Sequence, residues 1–136
     1  MKRLPDVECL KECSLFIWRP RGVLNEEKLN AILAFLNEQE TKDGRDYDRF
    51  TDLSQLDAVD LTFKYVFQVA LYRRLERLGR EPIKSAFLVT SPAVARYIKL
   101  HALITDHSPL DVAMFDDRKA AAEWLGVAPE LLTEKR

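Results

Sequence analysis

The sequence predicts a single α/β domain: a mixed, mostly parallel sheet of four to five strands with helices packed on it. Short apolar strand segments alternate with helical segments of about ten to eighteen residues. That β-α-β-α-β-α-β-α order suits parallel strands joined by right-handed crossovers. The run Ala86-Phe87-Leu88-Val89 is apolar without alternation, as expected of a strand covered on both faces. Two strand segments also run straight into helix starts, at Ser91-Pro92 and at Asp116-Asp117.

The first strand is Ser14-Leu15-Phe16-Ile17-Trp18-Arg19, closed by Pro20 and Gly22, with Val7 to Leu10 as a short edge strand before it. An antiparallel edge there makes the sheet mixed. Asn25 caps the first helix, and Glu26 and Glu27 place carboxylates in its first turn, where the helix dipole favours them. Leu29, Ile32, Leu33 and Leu36 recur at helical spacing and form one buried stripe. Thr41 to Asp46 is a polar turn containing Gly44. A second strand covers Asp48 to Leu53, and an acidic, hydroxyl-bearing loop follows. The second helix runs from Leu61 to Leu78 and stops at Gly79, with Arg73, Arg74 and Arg77 near its carbonyl end, where cations complement the dipole. After Pro82 comes a third strand, Lys84 to Thr90, then a helix from Ser91 to about Thr105. The fourth strand, Leu110 to Phe115, leads into a helix capped by Asp116 and Asp117, carrying Ala120, Ala121, Ala122, Trp124 and Leu125 and ended by Gly126. Leu131 and Leu132 are a candidate docked tail. The domain is expected over residues 1–136, with its core at about 14–127.

Composition narrows the function classes. With 21 basic and 22 acidic side chains, the chain lacks the long-range field of a general nucleic-acid binder. No apolar run approaches the roughly 20 residues that span a bilayer, and Met1 to Asp6 has no hydrophobic segment of a secretory signal. A cytoplasmic protein is expected. Cys9 and Cys13 are four apart, which is neither a redox pair spacing nor half of a zinc site, so they read as two ordinary thiols.

Two places stand out as candidate sites. The segment from Asp52 to Thr62 brings Asp52, Ser54, Asp57 and Asp60 to the carboxyl end of a strand, where sites form in open sheets. Structurally, Ser54 closes a turn and Asp60 caps the second helix. Functionally, Ser54 and Thr62 are phosphorylation candidates, because backbone donors at a helix start favour added negative charge. The carboxylate spacing matches no calcium loop, so no metal is expected. Ser91 belongs to the same end of the sheet.

The second place is the helix beginning at Leu61. Phe63, Val66, Phe67, Ala70, Leu71 and Leu78 form one broad apolar face that would cover the sheet. Leu61, Tyr65, Val69 and Tyr72 form an opposite stripe, either covered by neighbouring helices or presented to a partner or a second copy. His101 reads as a dipole partner near a helix end. There is no GxGxxG, no GxxxxGK[ST] and no HExxH, so no cofactor and no catalytic residue is indicated.

The strand-loop-helix Thr51-Asp52-Leu53-Ser54-Gln55-Leu56 with Val59-Asp60-Leu61-Thr62-Phe63 resembles the core of STAS domains, whose type members are anti-sigma-factor antagonists of the SpoIIAA kind. More closely, the chain resembles the SpoIIAA-like group of small proteins, through Trp18 to Leu24, Phe50 to Leu56, Ala86 to Thr90, and Val112-Ala113-Met114-Phe115-Asp116-Asp117 followed by Ala120-Ala121-Ala122-Glu123-Trp124-Leu125. The similarity covers about Ser14 to Val127. It implies a four- or five-stranded sheet with helices mainly on one side. In the antagonists a serine within Asp-Ser-Ser-Gly is phosphorylated; here Asp60 takes the place of the acid, Leu61 of the first serine, Thr62 of the phosphorylated hydroxyl and Phe63 of the glycine. The group is also likened to lipid-carrying CRAL-TRIO domains. That likeness implies an apolar pocket, which Phe63, Phe67 and Trp124 would line.

The leading expectation is a non-enzymatic regulatory or protein-interaction module, binding a protein partner or itself through the Ser54–Thr62 loop and the Leu61, Tyr65, Val69, Tyr72 stripe. The alternative is a carrier or sensor of a small apolar, lipid-like ligand. A third class, an enzyme, would need Asp52, Ser91 and His107 in one cleft. A large apolar cavity favours the carrier, and a filled core with an exposed apolar stripe favours the interaction module.

Overall fold

A computed structural model describes residues 6–106 and 108–133. In chain order the elements are β1 (Val7–Leu10), β2 (Leu15–Trp18), β3 (Gly22–Asn25), α1 (Glu26–Asp43), β4 (Asp48–Asp52), β5 (Leu56–Asp60), α2 (Phe63–Glu76), β6 (Ile83–Leu88), α3 (Pro92–Thr105), β7 (Leu110–Phe115) and α4 (Arg118–Leu125), closed by a 3₁₀ turn (Pro129–Leu132). Five strands form the main sheet in the order β1-β2-β4-β6-β7. β1 runs antiparallel to β2 and the other pairs are parallel. Each crossover therefore steps one strand further in the same direction, and right-handed steps of that kind stack their helices on one face. α1, α2 and α3 share that face.

Strand alternation divides the core in two. Ile17, Phe50, Ala86 and Ala113 are register partners across β2, β4, β6 and β7. They belong to the layer under α4, where Leu15, Ile17, Phe50 and Leu88 pack with Ala121, Ala122, Leu125 and Leu132. Each large apolar side chain buried there stabilises by about 2 kcal/mol. The expected tail is thus docked, and Leu132 is fully buried. Asp117 is the α4 N-cap, accepting from the Lys119 amide at 2.8 Å. The neighbouring row, Phe16, Arg49, Ser85 and Val112, faces the three helices instead.

α1 follows its sequence signals. Asn25 Oδ1 accepts from the Lys28 amide at 2.9 Å, Ile32 and Leu36 are buried, and Gly44 takes the left-handed conformation (φ 66°) that closes the helix. The helix reaches Asp43, so the polar turn is shorter than expected.

The segment after β4 departs from its reading as a loop. Leu56–Asp60 is a strand that pairs in parallel with β3, itself unexpected, to make a second, two-stranded sheet. Asp57 and Asp60 are exposed and disguise the strand, since aspartate disfavours extended ladders. Asp60 consequently does not cap α2. Thr62 does, its hydroxyl accepting from the Tyr65 amide at 3.0 Å. α2 spans Phe63–Glu76 rather than Leu61 to Leu78.

The face of α2 is also corrected. Of the face expected to cover the sheet, Val66 and Ala70 do point inward, joined by Arg73 and, just beyond the last turn, Arg77. Phe63 (51% exposed), Phe67 (44% exposed), Leu71 and Leu78 stand largely in solvent. Arg73 and Arg77 are buried in ion pairs with Glu76 and Asp46, both at 3.0 Å, rather than lying over the helix end. Arg74 does donate to backbone carbonyls, but those of Ile104 and Asp106 at the end of α3.

Candidate functional site

A cavity of about 130 Å³ lies between the sheet and the three helices. Each surrounding element contributes one side. The sheet supplies Phe16, Trp18, Arg49, Thr51, Ser85 and Phe87. α1 adds Leu29, Ile32, Leu33 and Leu36; α2 adds Val66, Val69 and Arg73; α3 adds Val94, Tyr97, Ile98 and His101. The small sheet closes one end with Leu24 and Val59, and Leu61 follows it. The lining is mostly aliphatic because period-2 alternation on the strands and 3.6-residue periodicity on the helices both point their apolar positions here.

Against that apolar wall stands one polar pole. Arg49 and Ser85 are adjacent register partners in the middle of the sheet, and Arg73 descends from α2. Both arginines are buried, at 5% and 4% exposure. Arg49 Nη2 donates to both carboxylate oxygens of Glu40 at 3.1 Å, and Glu40 also accepts from the Tyr47 amide at 2.8 Å. Arg49 Nε has no hydrogen-bond partner among the described residues. Burial, and then the neighbouring Arg73 cation, pulls the Arg49 guanidinium down to about 9. Burial likewise lowers Arg73. The His101 ring packs edge-on against Phe87, 5.9 Å between centroids. Its loss of hydration, reinforced by Arg73 and Arg49, pulls its pKa down to about 4, so it is neutral at pH 7. His101 is therefore a cavity residue and not a partner of its own helix end.

A groove between α1 and α2 borders the cavity. Asn30, Leu33, Asn37, Tyr65, Gln68, Val69, Tyr72 and Arg73 line it, and Leu33, Val69 and Arg73 are common to both. Tyr65 spans the groove, its hydroxyl donating to Asn30 Oδ1.

The residues singled out in the sequence are dispersed by the fold. Leu61 and Val69 face the cavity, Tyr65 and Val69 line the groove, and of the four-residue stripe Tyr72 alone is exposed. Phe63, Phe67 and Trp124 do not form a pocket. The two phenylalanines point outward, Phe63 stacking on Tyr97 at 4.7 Å, while Trp124 lies in the layer under α4 beside Phe115. Asp52 is fully buried and held by Arg118 at 2.9 Å, by the Ser54 amide at 2.9 Å and by the Ser54 hydroxyl at 2.5 Å. Asp57 and Asp60 lie on β5, and Ser91 lines a separate groove with Asp116 at the ends of β6 and β7. Thr62 is exposed at the start of α2. His107 lies outside the described residues. Among those described, no group of three or more His, Cys, Asp or Glu side chains has the geometry to hold a metal ion, and no helix is long and apolar enough to cross a membrane.

The residues of this polar pole that sequence reasoning missed are Glu40, Arg49, Arg73 and Ser85. A weak signal existed for two of them: Arg49 lies within the strand Asp48 to Leu53, and Arg73 sits in register with Val66 and Ala70 on the inward side of its helix.

No protein-family model matches the sequence, and no curated protein matches it. Among solved structures, the chain is similar to an uncharacterized protein of the DUF3478 family with a SpoIIAA-like fold from Shewanella loihica. The TM-score is 0.57 at 14% identity, covering 88% of this chain and 90% of that one. The fold is SpoIIAA-like.

Proposed function

We propose that this chain is a binding module for a small apolar molecule, a carrier or sensor rather than an enzyme. The observation that carries the reading is the cavity of about 130 Å³ lined by Leu24, Leu29, Ile32, Leu53, Val66 and Ile98. Protein interiors pack as densely as organic crystals, so a space of that size beneath three helices is a departure from ordinary core packing. An apolar cavity of about 150 Å³ takes up a benzene-sized molecule. The adjoining groove, spanned by the Tyr65 hydroxyl, offers a path for exchange with solvent.

Native mass spectrometry of protein purified from its own host tests this. A small-molecule adduct that leaves on denaturation supports the reading. A bare mass, together with no response of cavity residues to added apolar compounds, counts against it.

A second reading rests on α2. Phe63, Phe67, Leu71, Leu75 and Leu78 leave an apolar strip exposed on its outer side, and such strips suit a protein partner or a second copy. Phosphorylation of Thr62, at the head of the same helix, would add charge beside that strip. Size-exclusion chromatography with light scattering tests self-association: a dimer that Phe67→Asp converts to monomer favours this reading, and a monomer at all concentrations removes the homodimer.

A further inference from the structure

Resting on the cavity reading, we propose that the molecule held there is an apolar carboxylic acid, its carboxylate on Arg49 and Arg73 and its hydrocarbon part against Leu24, Leu53 and Ile98. Two guanidiniums nine-tenths buried over a mostly aliphatic cavity are costly unless each donor is matched. Arg49 reaches Glu40 through Nη2, and its Nε has no hydrogen-bond partner among the described residues. Among the described residues, the side chain of Arg73 donates from Nη1 to Glu76 at 3.0 Å. Thr51 and Ser85 also line the cavity, each bringing a hydroxyl that can donate or accept.

Fixed, dehydrated donors of this kind bind an anion more strongly than a neutral group of equal size, because a charge-assisted bond is roughly twice as strong and leaves no donor orphaned. Guanidinium also suits a planar carboxylate better than a point cation does. Position agrees with chemistry. Arg73 lines both the groove and the cavity, so it stands where a polar head near the mouth would sit while the tail lies deeper. Neutral His101 completes the pole as a ring that donates or accepts one hydrogen bond.

The test is a ¹⁵N-resolved NMR titration of the full chain with octanoate and with 1-octanol, which share a chain length and differ in the head. Octanoate should bind at least about ten-fold more tightly, with shifts centred on Ser85, Ile98 and His101. Arg73→Met should bring octanoate down to the affinity of octanol and leave octanol unchanged, and Arg73→Gln repeats that comparison if the first variant is unstable. Equal wild-type affinities for the two probes would overturn the carboxylate inference while leaving the cavity reading intact. Octanoate shifts confined to the outer face of α2 would also overturn it. Failure of both probes to bind would overturn the inference together with the proposed function beneath it.

Discussion

Arg49 on β4 and Glu40 on α1 form an ion pair with both partners almost wholly buried, the guanidinium Nη2 standing 3.1 Å from each carboxylate oxygen. The pair ties the long first helix to the central strand and sets the sheet side of the cavity's polar pole. Buried pairs of this kind add little net stability against apolar replacements, but losing one partner is costly.

Glu40→Leu should therefore destabilise the chain by about 3–5 kcal/mol, since it strands the Arg49 cation and frees the Tyr47 amide. The double variant Glu40→Leu, Arg49→Met should recover most of that loss. Urea unfolding of the two variants decides it, and equal costs would mean that the pair is not the unit.

Filling the cavity should have the opposite effect. Ser85→Val adds apolar volume at the cavity floor and replaces a buried hydroxyl with methyl groups. A gain of about 1 kcal/mol is expected, seen as a higher Tm, together with weaker uptake of octanol and octanoate alike.

His101 makes stability depend on pH. Its pKa is about 4 in the folded chain against 6.5 when unperturbed. Between those values the unfolded chain holds a proton that the folded one excludes, so acidification favours unfolding. The contribution is complete above pH 6.5 and is lost as pH falls towards 4, by up to about 3 kcal/mol. Urea midpoints from pH 7.5 to 4.5 should fall in the wild type and flatten over that window in His101→Gln.

Thr62 carries the N-terminal cap of α2 through its bond to the Tyr65 amide. Thr62→Ala should cost about 1 kcal/mol, and Thr62→Asp much less, as an aspartate can cap and suits the dipole. Thermal melts of the two compare them directly.

Asp52 is a structural anchor between β4 and the start of α4. Because its partner Arg118 is partly exposed, Asp52→Asn should cost about 1–3 kcal/mol while leaving binding of the neutral probe 1-octanol unchanged. A loss of octanol binding at preserved stability would restore Asp52 to a ligand site.

Local signals in the sequence determined much of the architecture. Apolar runs, the Asn25 cap, Ser91-Pro92 and Asp117 located four strands of the main sheet and all four α-helices, because capping and periodicity act within a few residues. Val7 to Leu10 was legible as the mixed sheet's edge for the same reason. β3 and β5 were not, since each is a four- or five-residue strand whose ladder exists only when the other is alongside, and Asp57 and Asp60 argue locally against it. The orientation of α2 was decided by tertiary structure alone. Its apolar residues nearly encircle the helix, so periodicity assigned Phe63, Phe67 and Leu71 to the interior together with Val66 and Ala70, whereas packing against α3 kept Val66 and Ala70 inside, left Phe63, Phe67 and Leu71 exposed and brought Arg73 in. The polar pole is the extreme case: Glu40, Arg49, Arg73, Ser85 and His101 lie on five different elements, and a cavity is a property of what those elements fail to fill together, which no stretch of chain encodes by itself.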